Sequence, residues 1–332
     1  MANPLTMRAM VVQAANGPFQ LVECARPEPG PGEVLVQIEA SGVNPLDTKI
    51  RAGAAAHARH PLPAVLGLDL AGVVTGVGAG VDRFRPGDEV YGMTGGVGGQ
   101  QGTLAEYATV DARLLAHKPR NLSMREAAAL PLIVITAWEG LVDRAAVRPG
   151  QTVLVHGGSG GVGHVTVQIA KAFGAQVYAT FRGPRGPIIS DLGVVPIDTG
   201  ALSVEAYVAA HTGGRGFDLV YDTIGGEILD ASFQAVRPFG HVVSCLGWGT
   251  HALAPLSFKG GTYSGVFTLQ PLLSGEGRER HGAILAEAAR LAEDGLLRPI
   301  LDPRTFDLQS AGAAHDALTD RSAVGKVIVS LR

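Results

Sequence analysis

Apolar and polar positions divide the chain into three stretches of different rhythm. The first third reads as short strands, Val- and Leu-rich with partial alternation: MRAMVVQA, FQLVECA, EVLVQIEASGV and VLGLDLAGVVTGVG. Turn clusters separate them, PEPGPGE first and RPGDEVYG later, and Gly92 to Gly102 reads as a glycine-rich loop. Many short strands of this kind predict a β-barrel-like domain. Near Ser123 the rhythm becomes helical. Ser123 is placed to cap a helix with Glu126 at the capping-box position, and Pro131 predicts a kink or break within SMREAAALPLIVITAWEGLVDRAAV. Strands QTVLVHG, AQVYATF, FDLVYDT and HVVSCLG then alternate with helices HVTVQIAKAFG and EILDASFQAVRPFG. That alternation predicts a parallel, doubly wound sheet. After Leu269 come an amphipathic helix, HGAILAEAARLAEDG, stopped by Gly295, and a last strand, GKVIVSL. The expected organisation is α/β. A β-rich domain formed by residues 1–125 and 270–332 is interrupted by a cofactor domain at 126–269.

The run from Val153 to Gly163, VLVHGGSGGVG, carries the clearest chemistry. Strand, glycine turn and helix give Gly158-x-Gly160-x-x-Gly163 the context of a dinucleotide fingerprint. Gly158 is expected to make the tight turn, Gly160 to admit a pyrophosphate, and Gly163 to let helix and strand pack closely. Ser159, Gly161 and Val162 complete the phosphate loop, where helix N–H groups meet the anion. An acid that would bind the 2′-hydroxyl of NAD is expected about 20 residues on. No Asp or Glu occurs there before Asp191; Thr180, Arg182 and Arg185 stand instead. A guanidinium fork suits a 2′-phosphate, so NADP(H) is the expected cofactor.

Composition narrows the picture. The 332 residues, 46% hydrophobic and 17% charged, are enough for two folded domains. A net charge of −3 without a basic block argues against nucleic acid as the main partner. No apolar run reaches membrane-spanning length, and the opening MANPLTMRAM reads as lacking an apolar leader. Cys24 and Cys245 are the only cysteines, which excludes a disulfide scaffold and a four-cysteine zinc lobe. These features predict a cytoplasmic protein.

With GPGEVLVQIEASGVNPLDTKIRAG, VLGLDLAGVV, RPGDEVYG, LPLIVITAWEGL, VLVHGGSGGVG and GKVIV in this order, the chain resembles the medium-chain dehydrogenase/reductase superfamily. The resemblance runs from about Met7 to Leu331 and is to the zinc-independent quinone oxidoreductase-like branch. It implies a GroES-like catalytic domain, a Rossmann domain, hydride transfer in the cleft between them, and a homodimer. Zinc-dependent relatives carry a cysteine and a histidine where this chain has Asn44 and Leu68. Neither side chain replaces thiolate or imidazole as a ligand, and Asp47, Asp69, His57 and His60 lack metal-site spacing, so no metal is expected.

The resemblance also implies cofactor contacts from Asp222, Thr223 and Gly225, from Cys245, Leu246 and Gly247, from Phe267, Thr268 and Leu269, and from Lys326. At Cys245 only the backbone is assigned to the site; the side chain reads as a small buried hydrophobe. Asn44 is either an amide donor toward substrate or nicotinamide ribose, or a turn residue before Pro45. Asp47 orients neighbours or caps a helix. Thr136 touches the nicotinamide side or bonds its own helix. Lys49 stands where quinone reductases usually carry tyrosine. It is either a cation that polarises the substrate oxygen or a solvated lysine. A second pocket tyrosine is replaced at or near Ala55. The implied activity is NADPH-dependent reduction of a small molecule with a conjugated carbonyl, a quinone or an enone. Two other readings remain: an alcohol dehydrogenase, which requires zinc, and an NADPH-binding sensor or scaffold with little turnover.

Overall fold

The computed structural model describes residues 5–332. Residues 1–4, where the reading for a leader segment begins, lie outside the described residues. The chain divides into two compact units, 1–132 with 269–332, and 133–268.

The first unit holds two sheets. Strands β1 (Thr6–Val12), β2 (Phe19–Ala25) and β4 (Ala64–Val65) form a small antiparallel sheet in the order β2-β1-β4. The larger sheet contains β3 (Glu33–Gly42), β5 (Asp69–Val77), β6 (Glu89–Met93), β7 (Tyr107–Asp111), β8 (Leu115–His117), β15 (Phe306–Asp307) and β16 (Ile328–Ser330). Its order is β15-β16-β3-β5-β6-β8, with β7 also on β3. Val34, Val36, Ile38 and Ala40 of β3 are all buried, the period-two face of a core strand. The helix Arg278–Glu293 buries Ile284, Leu285, Ala288 and Ala292, one apolar stripe.

The ends of three strands fix the later site. Gly42 closes β3 opposite Asp69, which opens β5, and Gly42 also pairs with Ile328 of β16. Residues far apart in sequence therefore meet just beyond Gly42. A Cβ at Gly42 would run into the Ala128 carbonyl oxygen, so only glycine fits there.

Helix α2 (Met124–Ala128) begins with the expected box. Ser123 N–H donates to Glu126 at 2.8 Å, and Glu126 N–H donates to Ser123 Oγ at 3.3 Å. Pro131 separates it from α3 (Pro131–Trp138), where a missing N–H costs nothing at the first helical position.

The second unit is a parallel sheet of β9 (Thr152–His156), β10 (Gln176–Phe181), β11 (Val195–Asp198), β12 (Phe217–Asp222), β13 (Val236–Ser244) and β14 (Thr262–Gly265). Its order, β11-β10-β9-β12-β13-β14, is the doubly wound order of dinucleotide-binding domains, with the strand order switching between β9 and β12. Helices α4 (Gly161–Ala172), α5 (Gly186–Asp191), α6 (Val204–Thr212) and α7 (Glu227–Ala235) connect the strands. Leu154, Phe217, Val220, Leu229, Phe233 and Val242 form one buried cluster. The helix expected to run through Gly240 ends at Ala235, and β13 begins at Val236. Pro238, which lacks the N–H that a helix interior needs, accounts for the early stop. Among the described residues no helix is long and apolar enough to cross a membrane.

Candidate functional site

The glycine turn lies between β9 and α4, at the point where strand order reverses. Its left-handed residue is Gly157, with φ of +74°, rather than Gly158. Gly158 is required for another reason: a Cβ there would collide with Ala179 Cβ on β10. A Cβ at Gly163 would collide with the Gly157 carbonyl oxygen, so helix and turn touch backbone to backbone. Gly160 differs. Its Cβ would meet only the Gly157 oxygen, at 3.2 Å, and otherwise open space. Gly160 caps α4, and Ser159, Gly161 and Val162 remain partly or fully exposed around it. An open position at a helix N-terminus is the kind of arrangement that receives phosphate in dinucleotide-binding turns.

Beneath the turn the expected contact residue Thr180 is buried, 2% exposed. Its Oγ1 accepts from Gly157 N–H at 3.1 Å and lies 3.2 Å from His156 Nδ1. Thr180 therefore braces the turn from below. Burial pushes His156 down to about 4, so it is neutral at pH 7. Arg182 is exposed and Arg185 half-buried at the N-cap of α5, and neither side chain has an ion-pair partner among the described residues.

The ends of β12 and β13 build a second rim. Asp222 is fully buried; it accepts from Ile224 N–H, Gly225 N–H and Ser244 Oγ, at 2.9, 3.0 and 2.7 Å. Its carboxylate shapes the loop and is not available to a ligand. Thr223 Oγ1 donates to the His156 carbonyl at 2.7 Å, tying this loop to the glycine turn. Cys245 N–H donates to the Asp222 carbonyl at 3.3 Å, and burial pushes its thiol up to about 12. Leu246 N–H donates to Ser244 Oγ at 3.1 Å. Gly247 is exposed, and Phe267 packs its ring edge-on to Trp248, 6.3 Å between centroids. Thr268 and Leu269 are buried.

In the first unit the strand ends around Gly42 assemble a buried polar cluster. Asn44, Asp47 and Asp69 are completely buried, and Lys326 is 5% exposed. Asn44 Nδ2 donates to Asp69 Oδ2 at 2.9 Å, and Lys326 Nζ donates to Asn44 Oδ1 and, at 3.1 Å, to the Val43 carbonyl. Lys326 Nζ also lies 3.8 Å from Asp69 Oδ2. Leu132 N–H donates to Asp69 Oδ1 at 3.0 Å. Asp47 Oδ2 accepts from Asn44 N–H at 2.8 Å, at the start of α1 (Pro45–Arg51), whereas Asp47 Oδ1 has no hydrogen-bond partner among the described residues. The Asn44 amide is engaged by Asp69 and Lys326, and Lys326, which the resemblance assigns to a cofactor contact, lies buried within this cluster. Burial pushes Asp47 up to about 7 and Asp69 up to about 6, and it lowers Lys326. Asp69 accepts from two donors beside the ammonium, which favours its ionised form, whereas burial favours the proton more strongly on Asp47.

Leu68, beside Asp69, is completely buried. Among the described residues no group of three or more His, Cys, Asp or Glu could hold a metal ion. The donor set at Asn44 and Leu68 does not fit zinc. Lys49, in the last turn of α1, is exposed and has no ion-pair partner among the described residues. Thr136 is 5% exposed, and its carbonyl accepts from Tyr221. Asp69, His156 and Tyr221 escape a reading for site residues. The signal for Asp69 was a lone acid inside the apolar run VLGLDLAGVV.

Two family models match the chain: the alcohol dehydrogenase GroES-like domain at residues 30–120, and one described as zinc-binding dehydrogenase at 194–329. The chain is 36% identical, over 90% of its length and 71% of the relative's, to 2-methylene-furan-3-one reductase of Solanum lycopersicum. It is 34% identical, over 91% of its length and 73% of the relative's, to NADPH-dependent alkenal/one oxidoreductase of Arabidopsis thaliana. It also matches the spectinabilin polyketide synthase system protein NorB of Streptomyces orinoci, at 36% identity over 91% of the chain, and spans only 13% of that protein. A crystal structure of an alcohol dehydrogenase superfamily protein from Novosphingobium aromaticivorans superposes with a TM-score of 0.97 at 62% identity, covering 98% of this chain and 100% of that one. The two folds, the dinucleotide-type turn and these similarities together establish that the chain belongs to the medium-chain dehydrogenase/reductase superfamily of oxidoreductases.

Proposed function

We propose that the chain is an NADPH-dependent reductase that delivers hydride to a quinone or an α,β-unsaturated carbonyl without zinc. The observation that carries this reading is the cluster at Asn44. Where zinc-dependent relatives place a thiolate, this chain has an amide held by Asp69 and Lys326. A bound nicotinamide supplies the hydride, and the protein supplies position and polarity. The N-terminus of α4 would receive the pyrophosphate beside Gly160. Arg182 and Arg185 would fork the 2′-phosphate. Thr223, Gly225, Leu246, Gly247 and Phe267 would line the nucleotide. Thr136 would hold the nicotinamide side, and exposed Lys49 would stabilise negative charge developing on the substrate oxygen.

The alkenal/one and furanone reductases among the relatives support a conjugated carbonyl as substrate. The polyketide synthase match adds acyl thioesters to the candidates. Among the described residues edge strand β14 bonds only to β13, and Phe239 and Phe258 nearby are 81% and 89% exposed. That exposed edge supports a homodimer joined through this unit, which light scattering checks. The test of the activity is NADPH oxidation against a panel of quinones, enones and enoyl thioesters. Turnover on conjugated carbonyls supports the reading. Tight NADPH binding with no turnover on any acceptor contradicts it and favours a sensor or scaffold.

A further inference from the structure

Helix α3 does not run on as a regular helix. From Glu139 to Arg144 it widens into a π-helical turn, with Ala145 N–H donating to the Gly140 carbonyl five residues back at 3.0 Å. Such turns are rare and mark places where something intrudes on the helical ladder. The intruder here is Tyr221. Its ring is completely buried, and its hydroxyl donates to the Thr136 carbonyl at 2.6 Å. The ring lies directly over Gly140. A Cβ on that residue would stand 2.5 Å from the Tyr221 hydroxyl oxygen and closer still to the ring. Glycine within a helix costs about 1 kcal/mol relative to alanine. A helix glycine, a π turn and a buried phenol therefore break local rules together, and all converge on one hydrogen bond to Thr136.

The other side of Tyr221 gives this bond its meaning. Tyr221 sits on the central strand β12, in register with Val155 of β9 and Val243 of β13. Asp222 follows it and points to the opposite face, where it pins Ile224, Gly225 and Ser244. Two adjacent residues at one strand end thus fix both the helix that carries Thr136 and the loop that carries Thr223 and Gly225. Burial of the phenol, with Cys245, Glu139 and Asp222 nearby, raises its ionisation well above the ordinary tyrosine range, so it stays a neutral donor.

The geometry points to Tyr221 as a positioning residue that, through Gly140 and the π turn, sets Thr136 at its working distance from the nicotinamide. This rests on the proposed placement of Thr136 beside that ring. Tyr221 touches neither substrate nor cofactor in this account. It acts through the Thr136 backbone.

Tyr221→Phe keeps the ring and removes the hydroxyl. In the full chain the expected result is an NADPH dissociation constant within about twofold of wild type, with kcat lower by about fivefold or more. The KM for an enone stays unchanged, and the isotope effect with 4-deuterated NADPH increases because hydride transfer becomes more rate-limiting. Amide exchange at Leu141 and Ala145 quickens in the ligand-free protein. Gly140→Ala perturbs the same contact from the helix side and is expected to give the same kinetic pattern. A folded Tyr221→Phe variant with wild-type kcat and isotope effect overturns the proposal. If Tyr221→Phe does not fold, Gly140→Ala decides in the same way, and failure of both to fold makes the contact structural and overturns it. If the wild type binds NADPH but reduces no acceptor, the proposed function fails on its own. The fluorescence of bound NADPH then decides: altered emission in Tyr221→Phe at unchanged affinity supports positioning, and identical emission rejects it.

Discussion

Asp47→Asn tests the charge assignment in the buried cluster. Asp47 is completely buried, one of its oxygens has no partner among the described residues, and its carboxyl moves from the ordinary 3.8 to about 7. A carboxyl raised in the folded state binds its proton more tightly there than in the unfolded chain. Its stabilising contribution is fully present below pH 3.8 and is lost as pH rises through about 7. Carrying a carboxyl across that span is worth on the order of 4 kcal/mol. Asp69 and Lys326 share the same field, so about 2–4 kcal/mol is the expected observable. Asparagine mimics the neutral acid and does not titrate. It leaves an amide N–H₂ at the partnerless position, which costs about 1–3 kcal/mol at every pH. The offset is constant; the pH dependence is not. Urea unfolding of both proteins from pH 4 to pH 8 should show the variant gaining on wild type as pH rises, by the amount stated. A difference that stays flat across this range refutes the assignment of the proton to Asp47.

Arg182→Ala with Arg185→Ala should remove most of the preference for NADPH over NADH in binding titrations, since each charge-assisted bond to a phosphate is worth about 1.5–3 kcal/mol; equal affinities in the native protein sink the idea. Gly160→Val should fold yet lose NADPH binding, because its Cβ enters the open cradle. Gly163→Ala should instead lower stability by about 1–3 kcal/mol, seen as a lower Tm, because its Cβ meets the Gly157 backbone. Lys49→Met should leave stability within about 0.5 kcal/mol, as the lysine is exposed. The same variant should lower kcat/KM for enones about tenfold. Unchanged kinetics would make Lys49 a solvated surface residue and pass its role elsewhere.

The glycine turn was legible because strand, turn and helix are contiguous, and their spacing reports geometry directly. Which glycine adopts the left-handed conformation was not legible. GGSGG offers Gly157 and Gly158 side by side, and only the approach of Ala179 on β10 separates their roles. Asn44, Asp47 and Lys326 each drew notice singly. Their union with Asp69 depends on β3, β5 and β16 ending together, a pairing across 282 residues that no local pattern carries. Thr180 looked like a ligand contact because it follows β10. Its inward orientation depends on strand register, which a one-residue slip would reverse. Tyr221 in FDLVYDT reads as one more apolar strand residue, and Gly140 as a helix blemish. Only the fold brings them together.

Metal-stripped turnover tests the central claim most directly. The protein is treated with chelator, its metal content is verified by elemental analysis, and NADPH oxidation is followed with a conjugated enone, with NADH as the comparison. The account predicts undiminished turnover and preference for NADPH, because Asn44 and Leu68 supply no zinc ligand. A stoichiometric zinc whose removal abolishes turnover contradicts it.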